Sequence, residues 1–423
     1  MRQALREAAP DHDMLVVRGG SITLPEMVNR IKDPAVLQQV GDAVLFRVPL
    51  LIDEGATLVI RERRVLLSAP DRAVIVNGGR LFVVDSNISS WDPALQTLTT
   101  LVDDEQFRPF LLGGGGSETY IAGSHLRALG FAAEKAYGLT VSSGPARAVH
   151  PPRLWLIDST LTDLFYGVYT FEAADIVIAG NRFLDNIVYG IDPHDASERM
   201  LIIGNVVERT RRRHGIVLSK KVRDSWIIGN LVRNSAGSGI VLDNRVEGVV
   251  IEGNMALDNA GDGIALLESR NVQIRNNRLL GNGRDGIRVR NSTRVTASDN
   301  LISGSGSDGM ELYAEATSAA ASETEPAAQA VVCRNATSGV RDALLELSGV
   351  AQLEWLLPDP LPSGAGALLK LPDENGVVAS ALSRPATGAL RVTSGQQRSD
   401  LEWLDPGGLE RKCAQVRTGP ALP

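Results

Sequence analysis

The chain runs to 423 residues yet holds only two cysteines, Cys333 and Cys413, both near its C-terminal end. That excludes a disulfide-dense fold. The two either pair in an oxidising compartment or stand as unrelated thiols, and their spacing is not that of a metal motif. No apolar run is long enough to cross a membrane. The opening MRQALREAAPDHD has no apolar core of a secretion signal, so the segment itself predicts a cytoplasmic chain or one whose leader is missing from this start. Positive charge is not in excess either. The net charge of −7 argues against nucleic acid or an anionic membrane as the partner of the whole protein. Aromatic residues are scarce, at 4%, while Gly and Asn abound, a composition suited to many short strands joined by tight turns.

What the chain does have is a repeat. A Gly followed by an apolar residue recurs at Gly167, Gly190, Gly215, Gly239, Gly263, Gly286 and Gly309, with gaps of 23, 25, 24, 24, 23 and 23 residues. Asn181, Asn205, Asn230, Asn254, Asn277 and Asn300 run in step with it. A period of this size accommodates three short strands and three turns. Strands in the same phase stack about 4.8 Å apart into parallel sheets, and a column of Asn can satisfy backbone groups from turn to turn. The expected fold is all-β, a right-handed parallel β-helix with coils of about 23–25 residues. The Leu spacing of a leucine-rich repeat is missing, and no 3.6-residue pattern intervenes.

Four regions follow. Residues 1–45 read as an N-terminal segment or cap with helical character around Leu24–Val40, and 46–314 as the β-helix. Residues 315–330, rich in Ala, Ser, Thr and Glu, read as a low-complexity linker. Residues 331–423 read as a C-terminal region of unassigned role, either a cap or a small β appendage. The GGGG stretch at Gly113–Gly116 lacks the strand-then-helix setting of a phosphate loop.

One coil breaks the pattern, with Tyr189-Gly-Ile-Asp192-Pro-His194-Asp195. Counting four and five residues on from each repeat Gly gives a column: Phe171/Glu172, His194/Asp195, Ser219/Lys220, Asp243/Asn244, Leu267/Glu268, Arg290/Asn291 and Tyr313/Ala314. The residue before each Gly gives another, with Tyr189, His214, Asp262, Asp285 and Asp308 among its members. Acids, bases and cations therefore meet around Tyr189, Asp192, His194, His214 and Lys220. The segment from Glu208 to Arg223 is locally basic, and Arg245, Arg270 and Arg290 extend the positive charge. A groove of this kind suits an extended polyanionic sugar; a solvated basic turn is the plain reading of Arg211–Arg213. His214 either touches substrate or caps its turn. The Asp262, Asp285 and Asp308 column reads as turn hydrogen bonding.

YGIDPHD, followed by RRRHGIVLSK and SGIVLDNR, resembles the mannuronan C5-epimerases, and most of all the periplasmic, calcium-independent type. GATLVI, FRPFLLGG, TYIAGS and KAYGLT extend the likeness over roughly residues 45–315. The resemblance implies epimerisation of β-D-mannuronate to α-L-guluronate within a polymer. His194 is then the base, Asp192 orients or tunes it, and Tyr189 or a water supplies the second proton. Lys220 stands where this family has an Arg, as a point charge in place of a bidentate fork. Asp195, His214, Lys221, Asn244, Arg245 and Arg290 are the implied substrate contacts. The calcium-binding nonapeptide repeats of the secreted epimerases are absent, so no metal and no cofactor is expected. The resemblance further implies a periplasmic location, polymannuronate or alginate as partner, and a link to alginate biosynthesis and export. A polyuronate lyase, which shares the C5 deprotonation, and a non-catalytic carbohydrate-binding β-helix are the alternatives. A glycosidase would need paired carboxylates at set separation.

Overall fold

The computed structural model describes residues 14–144, 150–316, 327–349, 351–357, 367–371, 388–394 and 399–414. They fall into two units, residues 1–212 and 213–423.

Within the first unit each coil contributes one strand to each of three sheets. The first sheet runs Leu15–Val17, Leu50–Ile52, Ile75–Asn77, Leu111–Gly114, Gly138–Ser142, Tyr166–Phe171 and Tyr189–His194, in sequence order and parallel throughout. Inward positions stack into the core: Val168 pairs in register with Ile191, and both are fully buried. The repeat glycines now have a cause. A Cβ on Gly167 would lie 2.2 Å from the carbonyl oxygen of Gly190, so the coils can approach here only without a side chain.

The second unit repeats the plan, with Ile216–Ser219, Ile240–Asp243, Ile264–Leu267, Ile287–Arg290 and Met310–Tyr313 paired in parallel. The expected Asn column is a buried ladder. The backbone N–H of Asn230 donates to Oδ1 of Asn254 at 2.9 Å, Asn254 to Asn277 at 2.9 Å, Asn277 to Asn300 at 2.9 Å, and Asn300 to Asn335 at 3.0 Å. In the first unit Asn181 donates likewise to Asn205. There the ladder continues through serines, with the amide of Ser86 donating to Ser124 and that of Ser124 to Ser159.

Three boundaries differ from the sequence expectation. Parallel pairing begins before residue 46, at Leu15–Val17, so the N-terminal segment carries coil strands as well as a cap. The helical stretch is confined to Leu24–Arg30, started by a Thr23/Glu26 capping box. Leu37–Val40 is instead a strand of a hairpin with Ala43–Phe46, because the intervening Gly41-Asp42 is a two-residue turn with Gly41 at φ 60°. Parallel coils also continue past 314 through Ala328–Cys333, Ala336–Ser338, Ala343–Ser348, Ala351–Leu356 and Ala367–Lys370. Ala389–Ser394 and Ser399–Leu404 then close the sheet antiparallel, followed by the helix Pro406–Ala414. Cys413 on that helix is joined to Cys333 as a disulfide, which settles the open pairing. Most of the expected linker at 315–330 lies outside the described residues.

Candidate active site

The strand Tyr189–His194 pairs with Tyr166–Phe171, and the register sets Tyr169 beside Asp192 and Phe171 beside His194. Because side chains alternate along a strand, Asp192 and His194 share one face and Ile191 takes the other. Pro193 follows Asp192, and directly after the strand Asp195 adopts a left-handed conformation with φ 42°. That turn swings its carboxylate back, and Oδ2 bonds Nδ1 of His194. Ser197 Oγ donates to the His194 carbonyl at 2.8 Å and fixes the backbone beneath.

A carboxylate can only accept, so Nδ1 carries the proton and Nε2 is the basic nitrogen. The sequence reading assigned the orienting role to Asp192 and a sugar contact to Asp195. The structure gives the bond to Nδ1 to Asp195. Asp192 is almost fully buried, 2% exposed, and its negative charge acts on the tyrosines around it. The Tyr169 phenol is pushed far above its ordinary pKa, first by burial and then by the charges of Asp192 and Asp195. Tyr137 is raised by burial, with Glu134, Asp192 and Asp195 adding to it. Both phenols keep their protons at any working pH.

The rings form a continuous wall. Tyr137 stacks on Tyr166 with centroids 4.5 Å apart and meets Tyr169 edge-on at 4.9 Å. Tyr169 lies 5.6 Å from the His194 ring, and Tyr189 meets Tyr166 edge-on at 5.1 Å. Tyr189 thus belongs to the same wall, at the far end of the strand from His194. Sequence reasoning missed Tyr137, Tyr169 and Lys135. The last holds its Nζ 3.2 Å from the Phe171 centroid and 5.4 Å from that of Tyr169. Tyr169 was findable: aligning YGVYTFE with YGIDPHD puts it at the Asp192 position.

In the second unit, Lys220 and Lys221 occupy a left-handed turn at φ 56° and 65°, exposed to solvent. Their amides donate to the carbonyls of Asp243 and Asn244, and Asn244 and Arg245 repeat the turn one coil on, at φ 59° and 65°. Lys220 of the expected column thus stacks on Asn244, and the adjoining Lys221 and Arg245 follow in the same turns. His214 makes the capping bond that its alternative reading allowed: Nδ1 accepts from the Ser238 amide at 2.9 Å. Burial and then the Arg213 charge lower its pKa to about 4, so it is neutral at pH 7. Arg290, expected to face the sugar, has its guanidinium drawn to Glu315 at 3.3 Å and Glu268 at 3.9 Å. The Asp column does bond turns: the amide of Asp285 donates to Asp262 at 3.2 Å and that of Asp308 to Asp285 at 3.1 Å. Arg288 completes it, 2.8 Å from Asp285.

The basic run is also largely paired inside the first unit. Arg209 bonds Asp185 at 2.8 Å, Arg211 lies 3.0 Å from Asp163, and Arg212 pairs with Asp104. That favours the plain structural reading of Arg211 and Arg212 over a polyanion contact. Among the described residues no group of three His, Cys, Asp or Glu side chains is placed to hold a metal ion.

Parallel pairing of strands from successive coils defines a β-helical protein, with a histidine held by Asp195 on one outer face. Residues 166–324 match the model of the right handed beta helix region. The mannuronan C5-epimerase of Pseudomonas aeruginosa is 39% identical over 223 residues, 51% of this chain and 41% of the relative. That of Azotobacter vinelandii is 38% identical over 223 residues, 51% of this chain and 42% of the relative. The matches thus span about two fifths of these relatives' length. The crystal structure of the periplasmic alginate epimerase AlgG superposes with a TM-score of 0.74 at 29% identity, covering 82% of this chain and 84% of that one. A point mutant of it gives 0.73 at 30% identity with the same coverage. The chain belongs to the periplasmic alginate epimerase family.

Proposed function

We propose that this chain epimerises β-D-mannuronate to α-L-guluronate within a polymer, by removing the C5 proton and returning one to the opposite face. The observation that carries this reading is the His194–Asp195 pair on the outer face of the Tyr189–His194 strand. The proton α to a uronate carboxylate is weakly acidic. Its removal needs a base within reach and a cation or strong donors at the carboxylate, where charge accumulates. Nε2 of His194 takes the C5 proton. Asp195 holds the ring and stabilises the imidazolium that forms, as an orienting acid does in other histidine-based sites. Tyr189, or a water, returns a proton from the other side. Lys220, Lys221 and Arg245 bind carboxylates of the sugar chain. Asp192 and Asp195 add to the burial that raises the Tyr137 and Tyr169 phenols.

The likeness to a periplasmic epimerase and the Cys333–Cys413 disulfide, which suits an oxidising compartment, support a periplasmic location. The polymer would be polymannuronate or alginate, within the biosynthetic and export apparatus that such a compartment holds. Incubation with polymannuronate and a chelator tests the activity. Guluronate signals in the proton spectrum support it. Unsaturated chain ends would instead mean a lyase, and an unchanged polymer a binding role.

A further inference from the structure

We propose that Lys135 is the cation that receives the carboxylate of the reacting uronate. This rests on the epimerisation proposed above and gives a different residue the task that the sequence resemblance assigned to Lys220.

Lys135 sits in the turn Ala133–Ala136, closed by the Ala136 amide donating to the Ala133 carbonyl at 3.0 Å, with Lys135 itself at φ 62°. The loop that carries the turn is braced at its base. The Phe131 amide donates to Ala136 at 3.0 Å, and that of Gly130 to Pro109 at 2.8 Å. Gly130 has φ 84°, and a Cβ there would lie 2.2 Å from the carbonyl carbon of Tyr137. Arg108, wholly buried, donates to the carbonyls of Gly130 at 2.9 Å and Leu129 at 3.1 Å and pairs with Asp163 at 3.0 Å. The ammonium is thus delivered by a built loop to a defined place.

That place adjoins the base. Nζ is 3.2 Å above Phe171, the register partner of His194, and 5.4 Å from the Tyr169 ring, which itself lies 5.6 Å from the imidazole. Register partners on parallel strands stand about 4.8 Å apart with side chains on the same face. A ring face attracts a cation without neutralising it. A carboxylate bonded to Nζ at about 2.8 Å puts the attached C5 roughly 4–5 Å from the ammonium once the bond angles are counted, on the same face as the imidazole. When the C5–H bond breaks, its electron pair moves into the carboxylate and the proton goes to Nε2. The second negative charge then grows on the oxygens that Lys135 holds. Reprotonation at C5 returns the pair, so no oxidant or co-reactant is needed.

Kinetics of the full chain on polymannuronate, read by guluronate formation and C5 deuterium uptake, test this. Lys135→Met should lower kcat about 100-fold or more with KM little changed, the mark of an interaction made mainly in the transition state. Lys135→Arg should recover to within about tenfold of wild type. Lys220→Ala should act mainly on KM. A kcat for Lys135→Met within threefold of wild type would overturn the proposal while leaving the epimerase reading intact. So would equal losses in the Met and Arg variants accompanied by a lowered melting temperature, since that marks a brace for Phe171. A wild-type protein with no C5 exchange at all would sink the underlying reading and this inference together.

Discussion

Two neighbouring coils of the first unit occupy the same backbone slot and differ in what they present. YGVYTFE and YGIDPHD begin with the same pair of residues and hydrogen-bond strand to strand. Both bury a branched aliphatic at the third position, and both turn through a left-handed acidic residue, Glu172 at φ 46° and Asp195 at φ 42°. The outward positions carry the change in chemistry, Tyr169 against Asp192 and Phe171 against His194, while on the inward face Thr170 stands against Pro193. The first coil turns its acid toward Ser143, whose hydroxyl donates to Glu172 at 2.8 Å. The second turns its acid onto a histidine. The scaffold is therefore indifferent to the chemistry: inward residues and the repeat Gly hold the coil, and outward residues are exchangeable. The earlier coil supplies an aromatic wall and a landing place for Lys135, and the later one supplies the histidine proposed as the base.

The comparison breaks most visibly at its two aligned side chains. His194→Gln should reduce turnover by about 10³ or more, within the range of removing a general base, with the melting temperature nearly unchanged. Phe171→Leu should leave substantial turnover. Comparable losses from both in kinetic assays would erase the distinction between the coils.

The next effect is on stability. Arg108→Met removes a buried cation from the carbonyls it bonds and leaves the half-buried Asp163 with Arg211 as its remaining guanidinium partner. Losing one member of a buried pair costs about 3–5 kcal/mol, readable by chemical denaturation. A loss under about 1 kcal/mol, the scale of a surface pair, would mean the loop does not depend on that anchor.

The two acids sharpen the contrast. Asp195→Asn keeps the shape but can leave Nδ1 as the wrong tautomer, and activity should fall about 100-fold, part of the range seen when a histidine's orienter is lost. Glu172→Gln, in the matching slot, should cost no more than a few-fold. The pair is compared by initial rates at saturating polymer.

His214 fills, in its own coil, the position that Tyr166 and Tyr189 fill in theirs, just before the repeat Gly. Its folded pKa, about 4, lies below the ordinary 6.5. The unfolded chain therefore binds the extra proton first as pH falls. Stability from this group is present above pH 6.5 and is lost as pH drops toward 4, by about 3 kcal/mol at most. Denaturation midpoints of the wild type and His214→Gln should converge across that window. A constant gap would show that the ring is not kept neutral by the fold.

Much of this was legible in the sequence because a solenoid writes its geometry at a fixed period. The Gly and Asn columns anticipated the coil approach and the ladder, and counting from the Gly gave the true register of Phe171 with His194 and of Asp243 with Leu267. What escaped was set by contacts outside the period. Lys135 reaches the site from a loop in a region of uneven coil lengths, so no count leads from it to His194. Arg212 is matched by Asp104, 108 residues earlier. Ser replaces Asn in the early ladder, where a hydroxyl does the same bonding. Leu37–Val40 reads as helix by local pattern and is a strand because the Gly41-Asp42 turn folds it onto Ala43–Phe46. The bond from Asp195 to Nδ1 of His194 escaped because only the left-handed turn at Asp195 brings that carboxylate back to the ring.

The most direct test is the proton spectrum of polymannuronate held with the full chain in deuterated water and chelator, beside the His194→Gln variant. The account predicts guluronate residues carrying deuterium at C5 with the wild type, and neither guluronate nor deuterium uptake with the variant. Guluronate formed at a similar rate by both proteins, or formed without deuterium at C5, would contradict a mechanism centred on His194.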